Sequence, residues 1–498
     1  MQTSSSSETL IFKLKNEEYL SNQNIVEVDL PSVSRYKSKQ LRYLDEKFEI
    51  SKRGSTFYVE TMAGVVMFLT SLYILNIQPS ILEMIGISER QSYVSTALIS
   101  GLSTITTGYF TTLPILLSTG IGQNYFLINK IVNHYGYGWQ ELGSIIFVEG
   151  ILYVAICFLI FRKKWSQTLP PGFRIGISFG IALFLGLIGM TSLLRSEETG
   201  MITLTNKGMS LYPEAIEVKL TYQLLLASLT LVGIISMRSR KYKNAFIVPS
   251  LVCAAVSIII RLSTKEFHIS EWYFPRLDDV AFKLRFNWKG SAAFIIPLFM
   301  IDHIFDSLCT LLTIVHFAFL DNVSFNEEAF MSLFSGSRTK TVRITMIFTG
   351  IWTSISGLFS NTQVVPFIES IVGSAAGAKT GFASVVAGLC FLISMFISPI
   401  LSFFPQETRS PLMIFTTSVV FSLSEYIDFN KLIVTLPIVV ATVCIPLSQS
   451  ILIGSLLSYI IIILLWLISD KKKYKLISKK MIFMFILALI SLGFTIFG

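Results

Sequence analysis

Residues 360–381 read SNTQVVPFIESIVGSAAGAKTG, inside a very apolar chain. A lone acid, Glu369, follows Pro366 by three residues, with polar residues before it and small ones after it. A helix breaker beside a carboxylate is out of place in a continuous apolar helix. It makes sense where a membrane span is interrupted, because irregular backbone at membrane depth survives only against protein or a watery cavity. A second stretch has the same grammar. Residues 111–130 read TTLPILLSTGIGQNYFLINK, with a Pro, then small and polar residues, then an apolar run.

The surrounding composition puts both stretches in a membrane. Of 498 residues, 52% are hydrophobic and 14% charged, where soluble domains carry about 25% charged residues. Mean hydropathy is +0.65. The expected fold class is an all-α polytopic membrane protein. The apolar runs number fourteen: 60–78, 92–112, 113–134, 140–161, 172–194, 219–237, 245–262, 291–315, 342–359, 361–376, 382–404, 410–427, 431–447 and 449–469.

The net charge of +9 does not point to nucleic acid. The basic residues cluster at Arg162–Lys164, Arg238–Lys243, Arg338–Arg343 and Lys471–Lys480. With a cytoplasmic N-terminus and alternating spans, all four clusters fall on the inside, as the positive-inside bias requires. The expected location is a plasma membrane. Residues 1–56 read as a cytoplasmic tail without a signal peptide. Residues 471–498 form a basic linker and a last apolar segment that spans, re-enters or lies on the bilayer. The five cysteines sit in apolar runs as packing residues, and four histidines do not suggest a zinc site. No nucleophile–base constellation suggests an enzyme, and no cofactor is expected.

Two groups of seven spans lie in opposite orientations, so an inverted repeat is expected. The two interrupted segments are third in each half, the arrangement that marks a transporter's midplane site. Gly120 and Gly122 let a ligand approach the backbone. Asn124 has both a donor and an acceptor for a polar ring edge. Glu369 is either a functional acid, a snorkelling acid, or a partner of Lys379. The eighth span holds Asp302, His303 and Asp306, and the two acids share a helix face. Buried carboxyls of this kind suit proton coupling, with His303 a relay or a packing residue. Glu149 reads as a structural hydrogen bonder.

Five motifs in collinear order carry a family resemblance over roughly residues 57–470: ETMAGVVMFLTSLYILNIQPSIL (60–82), STGIGQNYF (118–126), GWQELGSIIFVEGILY (138–153), IFDSLCTL (304–311) and FIESIVGSAAGAKTGFASVVAGLCF (367–391). The chain resembles nucleobase–cation symporters of the xanthine/uracil permease superfamily, in the AzgA-like adenine/guanine/hypoxanthine branch. The resemblance implies a core domain from residues 57–162 and 291–405, and a gate domain from 163–290 and 406–470. It implies a purine nucleobase held by Asn124, Asp306 and Glu369, with backbone around Gly120, Gly122, Phe367 and Ser370. Phe68, Tyr73 and Phe126 are stacking candidates. Proton symport would use Asp302, His303, Asp306 and Glu369, and the resemblance admits a homodimer. The chain departs from the family pattern at Gln78, Thr119, Gln123, His303, Cys309 and Lys379, all around the expected pocket. The competing readings are an anion exchanger of the same fold and a receptor or scaffold without transport.

Overall fold

The computed structural model describes residues 38–126, 132, 135–160, 170–194, 203–205, 208–210, 222–240, 242, 244–265, 272–319, 337–397, 403–427, 429–468 and isolated positions between 486 and 493. Most of the N-terminal tail and of the last apolar segment lies outside these residues. The chain forms two compact units, Met1–Thr56 and Phe57–Gly498. In the first, helix α1 (Lys39–Phe48) ends at Glu49, whose carboxylate accepts from Lys52 and Arg53. The hydrogen bond from Lys52 holds that carboxyl below its ordinary pKa.

The second unit is helical. Its elements are α2 (Phe57–Ser71), α3 (Ile74–Glu83), α4 (Glu89–Thr111), β1 (Leu117–Thr119), α5 (Ile121–Phe126), α6 (Trp139–Ile160) and α7 (Pro171–Leu194). A small hairpin, β2 (Thr203–Thr205) and β3 (Gly208–Ser210), precedes α8 (Tyr222–Ser239) and α9 (Ile247–Ser263). There follow α10 (Ala292–Phe319), α11 (Ser337–Leu358), β4 (Val364–Pro366), α12 (Ser370–Ala375), α13 (Gly381–Phe396), α14 (Gln406–Phe421), α15 (Leu432–Ser448) and α16 (Ile451–Ile468). Five described stretches are long and apolar enough to cross a membrane: Phe57–Glu83, Trp139–Phe158, Gly172–Leu193, Tyr222–Ser239 and Ala292–Ala318.

Three predicted limits shift. The first span bends between α2 and α3, where Leu72 and Leu75 bond to carbonyls three residues back, a tightened 3-10-like turn. The α13 helix stops at Phe396 rather than near 404. The α14 helix starts at Gln406 and passes into a 3-10 turn at Ser422–Tyr426.

The two interrupted spans meet as β1 and β4. They pair antiparallel, with Leu117 opposite Pro366, Ser118 opposite Val365 and Thr119 opposite Val364. Two segments related by an in-plane two-fold axis would pair in this way. The helix interfaces repeat the same symmetry. Gly101 and Gly108 of α4 face Gly388 and Gly381 of α13, while Gly143 and Gly150 of α6 face Gly357 and Gly350 of α11. In each pair the glycines are two helical turns apart, on one face, and backbone touches backbone. The inverted repeat exchanges one interface with the other.

The glycines of α7 serve a different contact. Gly176 and Gly180 lie against α15, and Gly186 and Gly189 against α14. A Cβ at Gly381 would stand 2.0 Å from the Gly108 carbonyl oxygen, whereas one at Gly290 meets nothing within 4 Å. We expect Gly381→Ala to destabilise the fold by about 1–3 kcal/mol, the usual cost of overpacking, and Gly290→Ala to be neutral. Thermal stability in detergent, followed by size-exclusion chromatography, checks both.

Candidate functional site

Broken spans leave backbone groups that must be satisfied without water. Here side-chain hydroxyls from neighbouring helices do much of this. The Leu117 N–H donates to Thr104, and its carbonyl accepts from Thr104 and Ser103. The Leu116 N–H donates to Ser370 Oγ, and the Ile115 N–H to Ser384 Oγ. Across the crossing, the Val364 N–H donates to Thr353, Gly120 N–H to the Gln363 carbonyl, and Phe367 N–H to the Leu116 carbonyl. Ser370 therefore braces the backbone and does not line the cavity described below.

That cavity opens at the ends of the two strands and holds about 460 Å³ of space free of protein atoms, part of it continuous with solvent. Gly120, Ile121 and Gly122 line one side, Val365 to Glu369 another, and Asp306 reaches in from α10. Tyr73, from the bend after α2, completes the polar lining and donates to Glu369 Oε1 at 2.5 Å. Glu369 immediately precedes the short helix α12. Its partner is Tyr73, and Lys379 instead donates its backbone N–H to Glu60 Oε1 at 2.9 Å. The buried Glu60 also accepts from the Thr380 N–H and so holds the link between α12 and α13. The far wall is apolar: Ile181, Phe184, Leu185 and Ile188 of α7, and Ile451 of α16.

The other expected residues are placed as follows. Asp306 Oδ2 accepts from Gln123 Nε2 at 2.6 Å, and its Oδ1 from Thr310 at 3.3 Å. Asn124 is buried and does not line the cavity; its Nδ2 donates to Gln78 Oε1 at 2.5 Å. Phe68 packs edge-on against Phe391, with centroids 5.0 Å apart, away from the lining. The side chain of Phe126 lies outside the described residues. Asp302 is buried behind Asp306, and its Oδ1 has no hydrogen-bond partner among the described residues. Phe184 and the rest of the α7 wall were missed by sequence reasoning. They lie in a Gly-rich, largely apolar run in which nothing singles them out.

His303 is both packed and hydrogen-bonded. Its ring stacks on Tyr153 with centroids 3.9 Å apart. Nε2 lies 3.1 Å from the Val364 carbonyl oxygen and Nδ1 lies 3.0 Å from Glu149 Oε1. A carbonyl only accepts, so Nε2 carries a hydrogen. Nδ1 then either donates to a Glu149 carboxylate or accepts from a Glu149 carboxylic acid. The imidazole ties α6 to β4. Glu149 is thus the hydrogen bonder expected of it.

No protein-family model matches the chain. Adenine permease AdeQ of Escherichia coli is 27% identical over 430 residues, covering 85% of this chain and 90% of that protein. Guanine/hypoxanthine permease PbuG of Bacillus subtilis is 24% identical over 426 residues, covering 83% and 91%. Among solved structures, the transmembrane domain of a cyanobacterial bicarbonate transporter, BicA, superimposes with a TM-score of 0.54 at 15% identity, covering 78% of this chain and 96% of that one. The last likeness speaks for the fold, an inverted repeat of transporter type. Over most of its length the chain is similar in sequence to proteins named as nucleobase permeases, and its apolar helices and fold are those of a multi-pass membrane protein.

Proposed function

We propose that the chain is a secondary active transporter that imports purine nucleobases of the adenine, guanine and hypoxanthine class by proton symport. The observation that carries this reading is the cavity at the crossing, where Glu369 and Asp306 flank a largely apolar lining. Ligand pockets are mostly apolar, with a few fixed polar groups. Two carboxyl groups suit the ring N–H donors of a planar heterocycle. Phe184 and Tyr73, both in the lining, supply faces for stacking. The names of the relatives AdeQ and PbuG support the same substrate class.

In this reading the crossing, with α2–α6 and α10–α13, is the core, and α7–α9 with α14–α16 are the gate. Rocking of one against the other around the cavity gives alternating access. Asp306 and Glu369 bind substrate and proton together. Asp302 and the Glu149–His303 pair lie behind them as further proton sites. The N-terminus is cytoplasmic, in a plasma membrane. An anion exchanger of this fold has less support, because the described cavity lining holds two acids and no basic side chain.

Uptake of radiolabelled adenine, guanine and hypoxanthine in cells lacking their own purine transport tests the proposal. Glu369→Gln is expected to lower uptake at least tenfold at equal protein level; normal uptake would remove Glu369 from the site. Tyr73→Phe removes one hydrogen bond, worth about 1 kcal/mol, and is expected to raise KM about fivefold. In proteoliposomes, an inward proton gradient should speed accumulation and a protonophore should abolish it. Accumulation indifferent to the protonophore would overturn symport, and binding without counterflow would favour a receptor.

A further inference from the structure

At one corner of the cavity the backbone of an interrupted span touches the apolar wall. Ile451, the first residue of α16, lines the cavity together with Gly122 of α5. A Cβ added to Gly122 would run into the end of the Ile451 side chain, with Cγ1 only 2.6 Å away. The Cβ of Ile451 would be 3.6 Å away, an ordinary contact. The isoleucine therefore lies in the space that a side chain at 122 would take. Gly120 is filled differently, from within its own segment: the Gln123 amide oxygen occupies the place of a Cβ there.

The backbone that carries Ile451 is closely packed. Only Gln449 and Ser450 turn the chain from α15 into α16, and Gln449 adopts the left-handed region at φ 52°. Beyond the turn, α16 lies hard against α15: a Cβ at Gly454 would stand 2.8 Å from the Ile445 backbone nitrogen. Ile445 also covers Gly180 of α7, the residue before Ile181 of the cavity wall. One side chain thus packs α7 and α16 together through two glycines. Backbones this close leave little slack, so Ile451 and the α7 wall share one frame.

We infer that Ile451, seated on Gly122, is a specificity-determining residue that sets the breadth of the cavity and so decides which ring substituents a purine can carry. The inference rests on the purine reading above and adds to it the residue that excludes bulkier rings. A single methylene against a packed apolar wall changes selection by about 10–200-fold.

The test is competition for uptake by the full-length protein. The labelled base is whichever of adenine, guanine and hypoxanthine is taken up. The competitors are that base and its derivatives with one methyl group added on a ring carbon or on the exocyclic amino group. In the unaltered protein at least one derivative is expected to compete about tenfold worse than the parent base, and Ile451→Ala should bring it to within about threefold. No such gap in the unaltered protein, or a gap unchanged in Ile451→Ala, overturns this inference and leaves the purine reading standing. Uptake of none of the three bases overturns both. Gly122→Ala should lower uptake at least about tenfold at equal protein level. Adding Ile451→Ala should recover most of that loss, because the atom left at 451 is the Cβ, 3.6 Å from the new methyl. A double variant no better than Gly122→Ala would overturn the pairing of the two residues. If Gly122→Ala fails to fold, the methyl series in Ile451→Ala decides.

Discussion

The whole arrangement depends on satisfying the backbone of two short strands that cross within a membrane protein. Each strand makes only a few ladder bonds to the other. The remaining N–H and C=O groups have no water at hand, and leaving each unpaired in hydrocarbon would cost several kcal/mol. Hydroxyls on α4, α11, α12 and α13, and the imidazole of His303, meet that need. The Ser and Thr residues that look like weak points in apolar helices are therefore the means by which irregular backbone is held. Because those helices are themselves joined by paired glycines, the crossing is fixed to the helices around it.

The same constraint shapes the chemistry. With its backbone satisfied, the crossing can end in a cavity, and side chains from distant parts of the chain gather there. Tyr73 and Glu369 are 296 residues apart in sequence, Gln123 and Asp306 183 apart. Each acid has a neutral donor as partner and not a cation, so neither is neutralised by an ion pair. An acid held in this way remains available to a ligand or a proton, whereas one locked to arginine would not be. Glu407 shows the contrast: on the opposite side of the repeat, at the start of α14, it is buried and bonded to Arg261 and Ser257, a brace between α9 and α14.

Much of this was legible in the sequence. Pro366 with Glu369, and Pro114 with Gly120 and Gly122, mark two interruptions at matching places, and the structure brings those interruptions together. The membrane class followed from composition, and the inverted repeat from two interruptions at matching places. The partners of each polar residue did not follow. Asn124 looked like a free donor and acceptor because nothing local shows that Gln78 lies against it. Gln123 looked like a mere departure from a family pattern, yet it is the donor to Asp306. Such pairings are set by the register of a strand crossing, which no periodicity encodes. The apolar wall of α7 was silent for the opposite reason: Ile181, Phe184, Leu185 and Ile188 are ordinary apolar residues in a largely apolar helix, so nothing in the sequence singles out the face turned to the cavity.

The contact between Gly120 and Gln123 reaches beyond the two residues. The amide oxygen of one fills the space a methyl group on the other would need. A side chain at position 120 would have to push the flexible end of Gln123 aside. Were position 123 to become a shorter or apolar residue, that space would be vacated and Asp306 would lose a donor. A change at position 120 would therefore be felt at Asp306 through the displaced amide of Gln123, so the backbone of one interrupted span and the acid of α10 answer to each other across the cavity wall.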